Sequence, residues 1–328
     1  MYDWSTISYL ELELSNHCNS FCPQCARYHA DGKVKKFPLK HLDYTLVEKN
    51  MLNQLPNLKN IDFCGGFGDP LMHPELDLFI DYFLQTNINI TIWTNASLRN
   101  NEWWEKLATK NVTVVFCLDG LEDTHSLYRI NTSYNKIISN AKSFISQGGT
   151  AHCQTIIFKH NEHQIEDIKK TVNSLGFAKH KIIKSDRFYD LSQMPVYIKG
   201  KYSHTLEPPV YDYKDIKKNT FSSKKELKAF YLETQKNFSC PWFDNAKLYI
   251  DCNGLVFPCC FIGTLYKGSF DDEMFKVLVT QKQNIDLNRK SFKDILQSKI
   301  YDDYMTNKIK KTAHPICIEN CISIGRRT

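Results

Sequence analysis

The sequence predicts an α/β protein: a partial (β/α)6 barrel with a small C-terminal α+β extension, rich in cysteine and containing a β-hairpin. Three observations predict it. Six short apolar runs alternate with segments of helical period from residue 7 to about residue 184, the pattern of parallel strands covered by helices. Those runs are nearly continuous in apolar residues, as strands buried on both faces are. Beyond them, Asn253-Gly254 lies between two apolar segments, a strong hairpin signal.

Taken in order, Ile7–Leu14 sets Leu10, Leu12 and Leu14 on one face and turns at Ser15-Asn16. Leu42–Leu55 has helical spacing. Asn60–Cys64 is a strand running into Gly65-Gly66. Pro74–Gln85 is a helix with proline near its start, where a missing N–H costs least. Strand Ile88–Trp93, helix Asn101–Thr109 and strand Val112–Leu118 follow. Helix Tyr134–Gln147 stops at Gly148-Gly149, strand Ala151–Phe158 comes next, and helix Glu162–Leu175 is closed by Gly176 before a sixth strand, Lys181–Lys184. Right-handed crossovers curl such a sheet into an open barrel, and its chemistry belongs at the C-terminal strand ends. The barrel is expected over 1–187. A connector or insertion follows over 188–235, rich in Tyr, Lys and Pro, with a helix at Lys224–Glu233. The extension over 236–328 holds the hairpin Lys247–Ile250 and Leu255–Phe257, a helix from Ser291 to Met305, and the Cys317–Cys321 tail.

Composition narrows the class. Of 328 residues, 42% are hydrophobic and 24% charged, ordinary for a folded chain. No run reaches the roughly 18 apolar residues of a spanning helix, and Met1-Tyr2-Asp3-Trp4 opens no secretory pattern. A cytoplasmic protein away from membranes is expected. Net charge is +6, and only seven of the 42 basic residues are Arg. Nucleic-acid surfaces lean on Arg forks, so a nucleic-acid partner is not expected. The Lys-rich clusters Lys33–Lys36 and Lys217–Lys225 read as solvated faces.

The twelve cysteines carry the chemistry. Cys18, Cys22 and Cys25 crowd into eight residues directly after the first strand. Cys240, Cys252, Cys259, Cys260, Cys317 and Cys321 lie in the extension. Cys64, Cys117 and Cys153 stand alone on or beside strands and read as small core residues. Clustered thiols in a reducing compartment are metal ligands or redox groups. A structural zinc asks for four ligands, whereas three thiolates in one tight loop suit a cubane iron-sulfur cluster with one iron left open. His17 and His29 flank the triplet and read as hydrogen-bonding or surface residues. Trp103-Trp104 reads as helix packing.

Cys18-x3-Cys22-x2-Cys25 after the first strand of an α/β barrel resembles the radical S-adenosylmethionine (SAM) superfamily. Cys64-Gly65-Gly66-Phe67-Gly68-Asp69-Pro70 resembles its Gly-Gly-Glu-Pro loop, with Asp69 in place of Glu. Trp93-Thr94-Asn95 resembles its Thr-Asn-Gly, and Leu118-Asp119-Gly120 its Ser-Leu/Ile-Asp-Gly. The resemblance implies a 4Fe–4S cluster on the triplet and SAM contacts from Gly65, Gly66, Gly68, Asp69, Thr94, Asn95, Asp119 and Arg129. Asn95 and Asp119 fit capping or turn roles equally well, and Arg129 fits either the SAM carboxylate or a surface ion pair. The residue before the third cysteine is usually aromatic in the family and packs near the adenine; here it is Gln24.

Cys240, Cys259, Cys317 and Cys321 resemble the superfamily's SPASM/twitch extension, which implies one auxiliary 4Fe–4S cluster on those four thiols. Cys260, next to Cys259, is expected to point elsewhere on an extended strand, and Cys252 sits in the hairpin turn; either remains an alternative ligand, and a zinc site on the same donors an alternative occupant. By resemblance the reaction is reductive cleavage of SAM to a 5′-deoxyadenosyl radical, which takes hydrogen from a peptide side chain or a small-molecule alcohol. An electron donor such as flavodoxin or ferredoxin is implied. Two other classes compete: an RNA-modifying enzyme of the same superfamily, and a non-catalytic, zinc-stabilised structural or regulatory protein.

Overall fold

The structure is a computed structural model. It describes residues 4–29, 31–50, 54–185, 187–188, 192–210, 233, 240, 242, 245–266, 278–301, 317 and 321. The chain packs into two units, one of residues 13–41 and 61–212, the other of residues 1–12, 42–60 and 213–328.

In the first unit, β2 (Asn60–Cys64), β3 (Asn89–Thr94), β4 (Val112–Cys117), β5 (Thr150–Ile157) and β6 (Lys179–Lys184) are neighbours in chain order. β3 on β4, β4 on β5 and β5 on β6 pair in parallel, with Ile90 opposite Val112, Thr113 opposite Thr150 and Gln154 opposite Lys181. The crossovers are α2 (Leu76–Leu84), α3 (Asn101–Ala108), α4 (His125–Tyr128) with α5 (Tyr134–Ser146), and α6 (Ile165–Leu175). Each apolar run became a strand for the reason its composition gives: Val112, Val114, Val115, Phe116 and Cys117 are all buried. Helix caps also follow the sequence. Asn100 Oδ1 accepts from Trp103 N at 3.0 Å, and Gly176 closes α6 at φ +86°, the left-handed position glycine takes without strain.

Helix bounds are shorter than the apolar spacing implies. The expected Pro74–Gln85 helix starts at Leu76, after a 3₁₀ turn at Pro70–Met72 that Asp69 caps. Leu42–Leu55 gives α1, Tyr44–Asn50, because Asp43 turns back to accept from Thr45 N at 2.9 Å; residues 51–53 lie outside the described residues.

The expected connector holds structure of its own. β7 (Met194–Ile198) and β8 (Lys201–Leu206) form an antiparallel hairpin around Lys199-Gly200, both at positive φ. That two-residue turn matches the twist of the strands, but Lys-Gly announces it more weakly than Asn-Gly. Val196 and Leu206 pack with Tyr128, Phe158 and Phe188 as a buried cluster. Of the Lys224–Glu233 helix, only Glu233 lies within the described residues.

In the second unit, β1 (Tyr9–Glu13) pairs in parallel with β9 (Lys247–Ile250), and β10 (Val256–Phe257) runs antiparallel on β9. The hairpin read from Asn253-Gly254 is present. Asp251 accepts from Asn253 N and Leu255 N at 3.0 Å each, and Gly254 sits at φ +81°. α7 (Cys260–Tyr266) follows at once. The helix expected over Ser291–Met305 is α8, Phe292–Leu296; residues 302–305 lie outside the described residues.

The packing core of the first unit centres on Trp104. It is fully buried, its ring centroid lies 5.1 Å from Phe116 and 6.0 Å from Phe144, and its Nε1 donates to Leu98 O at 3.1 Å. Its partner Trp103 is held by Asp77 at 3.2 Å, so the Trp pair serves helix packing. Trp104→Ala leaves a large cavity, with Leu98 O still held by Asn140 Nδ2 at 3.1 Å, and is expected to cost about 3–5 kcal/mol, read from urea midpoints of anaerobically prepared protein.

Candidate active site

The cysteine loop leaves β1 through Asn16, whose side chain fastens it: Nδ2 donates to Pro38 O at 2.9 Å and Oδ1 accepts from Lys40 N at 2.7 Å. A turn closed by Cys25 N on Cys22 O, 2.9 Å, draws the second and third thiols together. The sulfurs meet polar hydrogens. Ser20 N reaches Cys18 Sγ at 3.4 Å, Ser20 Oγ lies 3.0 Å from Cys22 Sγ, Asn95 Nδ2 is 3.8 Å from Cys18 Sγ and Arg129 Nη1 is 3.7 Å from Cys22 Sγ.

Burial pushes the Cys18 and Cys25 thiols well up; Asp69, Cys22 and Cys25 push Cys18 further, and Cys22 does the same to Cys25. The three sulfurs therefore share one field. Thiols so placed become thiolates only beside a strong positive charge, which iron supplies. Among the described residues, no three His, Cys, Asp or Glu side chains converge on a point one ion could fill. A cubane asks for something else: each thiolate binds its own iron. The adjacent His17 ring is stacked on His41 at 4.3 Å, and His41 meets His73 edge-on at 5.0 Å. The donor set fits a three-cysteine cluster.

Around the thiols, the strand ends are sewn to the loop. A Cβ on Gly65 would sit 2.3 Å from Gly68 O, and one on Gly68 would sit 1.8 Å from Ser15 O, so this turn admits only glycine at both. Gly66 lies between them. Phe67 N donates to Glu13 Oε1 at 2.8 Å and Asp69 N to His17 O at 2.8 Å. Asp69, 4% exposed, is saturated: Leu71 N at 3.0 Å, Thr94 Oγ1 at 2.9 Å and Asn95 N at 2.8 Å all donate to it. Asn95 in turn donates to Asn19 Oδ1 at 2.9 Å.

Asp119, fully buried, is the second anchor. Its Oδ2 accepts from Arg129 Nε at 2.5 Å and its Oδ1 from Ile156 N at 2.6 Å. Asn161 donates to its carbonyl at 3.1 Å. Burial pushes both aspartates up; their hydrogen bonds and Arg129 pull them back. Arg129 is thus an ion-pair partner inside the site, and it also touches a cysteine sulfur. The structure places Cys18, Cys22, Cys25, the Gly65–Gly68 turn, Asp69, Thr94, Asn95, Asp119 and Arg129 in one continuous network at the strand ends.

Gln24 is 7% exposed. Its Oε1 accepts from Ser185 Oγ, its carbonyl from Arg187 Nη1 at 3.1 Å, and its Nε2 is buried with no hydrogen-bond partner. Sequence reading missed Ser20, Asn19, Arg27 and His125, all of which work through loop geometry that residue spacing does not show.

In the second unit, Cys240, Cys259 and Cys317 are buried. Burial, then Cys260, Cys317 and Cys240, pushes the Cys259 thiol up, so these four thiols share a field. Cys321 is half-buried and Cys252 buried. Cys260 was expected to point away on an extended strand; it instead begins α7, which keeps it beside Cys259.

A model of the radical SAM superfamily matches residues 12–175, half of the chain. The chain belongs to the radical SAM superfamily. A second model, the SPASM iron-sulfur cluster-binding domain, matches residues 240–322. This radical SAM chain is 23% identical over 339 residues to a cysteine-type anaerobic sulfatase-maturating enzyme of Clostridium novyi (strain NT), covering 96% of the chain and 85% of that protein. It is 24% identical over 181 residues to a tungsten-containing aldehyde ferredoxin oxidoreductase cofactor-modifying protein of Pyrococcus furiosus, covering 52% of the chain and 49% of that protein. Streptococcus suis SuiB bound to S-adenosylmethionine shares its fold with a TM-score of 0.60 at 17% identity, over 93% of the chain and 68% of SuiB. So does anSMEcpe with bound AdoMet and Cp18Cys peptide, with a TM-score of 0.57 at 15% identity, over 96% and 86%. The radical SAM partial barrel, the iron-sulfur clusters and SAM as cofactor are those the sequence implied.

One buried histidine gives the network a pH limit. His125 Nδ1 accepts from Asp119 N at 3.2 Å, and Nε2 lies 3.0 Å from Thr132 Oγ1, which itself donates to Arg129 O at 2.7 Å. The ring is therefore neutral with its proton on Nε2. Burial, with Arg129 nearby, takes its pKa from 6.5 down to about 3. A depressed histidine adds stability that is present above pH 6.5 and lost as pH falls towards 3, by up to about 1.4 kcal/mol per pH unit. Urea midpoints at pH 7, 6 and 5 are expected to fall more steeply for the wild type than for His125→Gln; equal slopes refute the assignment.

Proposed function

We propose that this chain is a peptide-modifying radical SAM enzyme with one auxiliary 4Fe–4S cluster, acting on a side chain of a peptide or protein substrate. The observation that carries it is the network of Cys18, Cys22 and Cys25 with the two anchored strand ends, Asp69–Thr94–Asn95 and Asp119–Arg129. When bound and reduced by one electron, the cluster and SAM together supply a 5′-deoxyadenosyl radical able to take hydrogen from an unactivated C–H. The chain's own residues hold that chemistry in place. Cys18, Cys22 and Cys25 ligate three irons. The Gly65–Gly68 turn offers bare backbone for close approach to the SAM amino group. Arg129 spends Nε on Asp119 and keeps guanidinium N–H groups for the SAM carboxylate. Gln24 Nε2, a buried donor with Oε1 fixed by Ser185, takes a ring nitrogen of the adenine where the family uses an aromatic ring.

Cys240, Cys259, Cys317 and Cys321 ligate the auxiliary cluster, with Cys260 the substitute for Cys321 that the shared field favours. A peptide substrate is supported by the relatives: a sulfatase-maturating enzyme, anSMEcpe with a bound peptide, and SuiB bound to precursor peptide SuiA. The electron donor is of the flavodoxin or ferredoxin class. None of the twelve cysteines is joined in a disulfide, which supports a reducing, cytoplasmic setting. Among the described residues no helix is long and apolar enough to cross a membrane.

Anaerobic preparation is expected to give about eight irons and about eight sulfides per chain, and reduction in the presence of SAM to release 5′-deoxyadenosine. The Cys18→Ala, Cys22→Ala, Cys25→Ala triple variant is expected to keep about four irons and lose SAM cleavage. Zinc at either site, or cleavage retained in the triple variant, rejects the reading. Separately, Gln24→Met is expected to weaken SAM binding about tenfold, the worth of one hydrogen bond, measured by equilibrium titration. The 1-, 3- and 7-deaza adenine analogues of SAM then identify the nitrogen, as the one whose loss weakens the wild type but not the variant.

A further inference from the structure

We infer that Arg27 is the counter-charge of the cluster at the strand ends and sets its reduction potential. Arg27 lies two residues past Cys25 and is 7% exposed. Its Nη1 donates to two backbone carbonyls, Asn16 O and, at 2.6 Å, Phe67 O. Its Nε is buried with no hydrogen-bond partner, and its guanidinium carbon lies 5.6 Å from the Phe37 ring centroid. Among the described residues it is in none of the ion pairs. Carbonyls and a ring face are weak compensation for a buried cation, which costs several kcal/mol unless an anion answers it.

The negative groups at hand are the thiolates of its own loop, and the Arg27 backbone N–H, then the charges of Arg187 and Arg27, lower the cost of ionising Cys25. The other arginines near the sulfurs differ. Arg129 is cancelled by Asp119 at 2.5 Å, and Arg187 is exposed, where water screens it. Among the described residues, Arg27 is left as the buried arginine beside the thiols that no carboxylate pairs. A cation in such a place favours the state with one more electron, because cluster potential follows local charge and burial.

The inference rests on the cluster assignment above and is independent of the substrate. Midpoint potentials are read by EPR-monitored redox titration, with the triple cysteine variant supplying the auxiliary signal to be subtracted. Arg27→Gln removes the charge and keeps a donor for the carbonyls; at fixed potential it is expected to lower the ratio of reduced to oxidised cluster about tenfold, about 59 mV for one electron. Arg27→Lys keeps the charge and is expected to hold the wild-type midpoint. An unchanged midpoint in Arg27→Gln overturns the inference, and so does loss of iron in both variants, which reduces Arg27 to a scaffold. Loss of iron in Arg27→Gln alone, with the wild-type midpoint in Arg27→Lys, supports it. Absence of any triplet-dependent signal in the wild type is a different result: it rejects the cluster assignment itself.

Discussion

Three sulfur donors in one buried loop repel each other as soon as they ionise, and the end of the barrel is organised around that cost. Burial alone pushes Cys18 and Cys25 far towards the neutral thiol, and their mutual repulsion adds to it. The chain answers with hydrogen-bond donors: the Ser20 backbone, Asn95 and Arg129 all direct N–H groups to sulfur. Such contacts do not suffice to ionise the thiols. They orient the sulfurs and stabilise negative charge once iron has drawn the protons off.

The two buried aspartates show how the loop keeps its shape. Asp69 and Asp119 each end a stretch that resembles a cofactor contact, yet each carboxylate is occupied by backbone and side-chain donors of the protein. Asp69 ties the turn after β2 to the end of β3, and Asp119 ties the end of β4 to β5 and to the segment carrying Arg129. Each carboxylate thus holds two strand ends together. A Glu in place of Asp69 has a longer reach, and the shorter Asp suits a site in which the carboxylate caps its own 3₁₀ turn and grips Thr94 in the same span.

The strands and the cysteine loop were legible because both are local in sequence. Val112–Leu118 is apolar but for Thr113 since β4 is buried along nearly its whole length, and Cys18-x3-Cys22-x2-Cys25 is fixed by a turn that closes within four residues. What was not legible depends on distance. Arg27 reads as one more basic residue until its Nη1 is found on Asn16 and Phe67, eleven and forty positions away. His125 carries no signal in the sequence; its role shows only where Asp119 N is found on its ring. The β7–β8 hairpin escaped because Lys199-Gly200 lacks the Asn that marks such turns, and Cys260 was assigned an extended backbone where a helix begins.

The two cysteine sets draw their donors from different units of the chain, and this shapes what each is suited to do. Every residue of the network at the strand ends falls within 13–41 or 61–212, whereas the thiols of the extension fall within 213–328. The first set holds three thiols, and its neighbour His17 is committed to a histidine stack, which leaves a coordination position for a small molecule. The second gathers Cys240, Cys259, Cys260 and Cys317 into one field, enough sulfur to close every corner of a cluster. A closed cluster passes electrons or stiffens its domain but does not bind substrate at iron. On the function proposed above, the division of labour follows from donor count: bond-breaking chemistry belongs where the protein withholds a ligand, and electron traffic where it supplies them all.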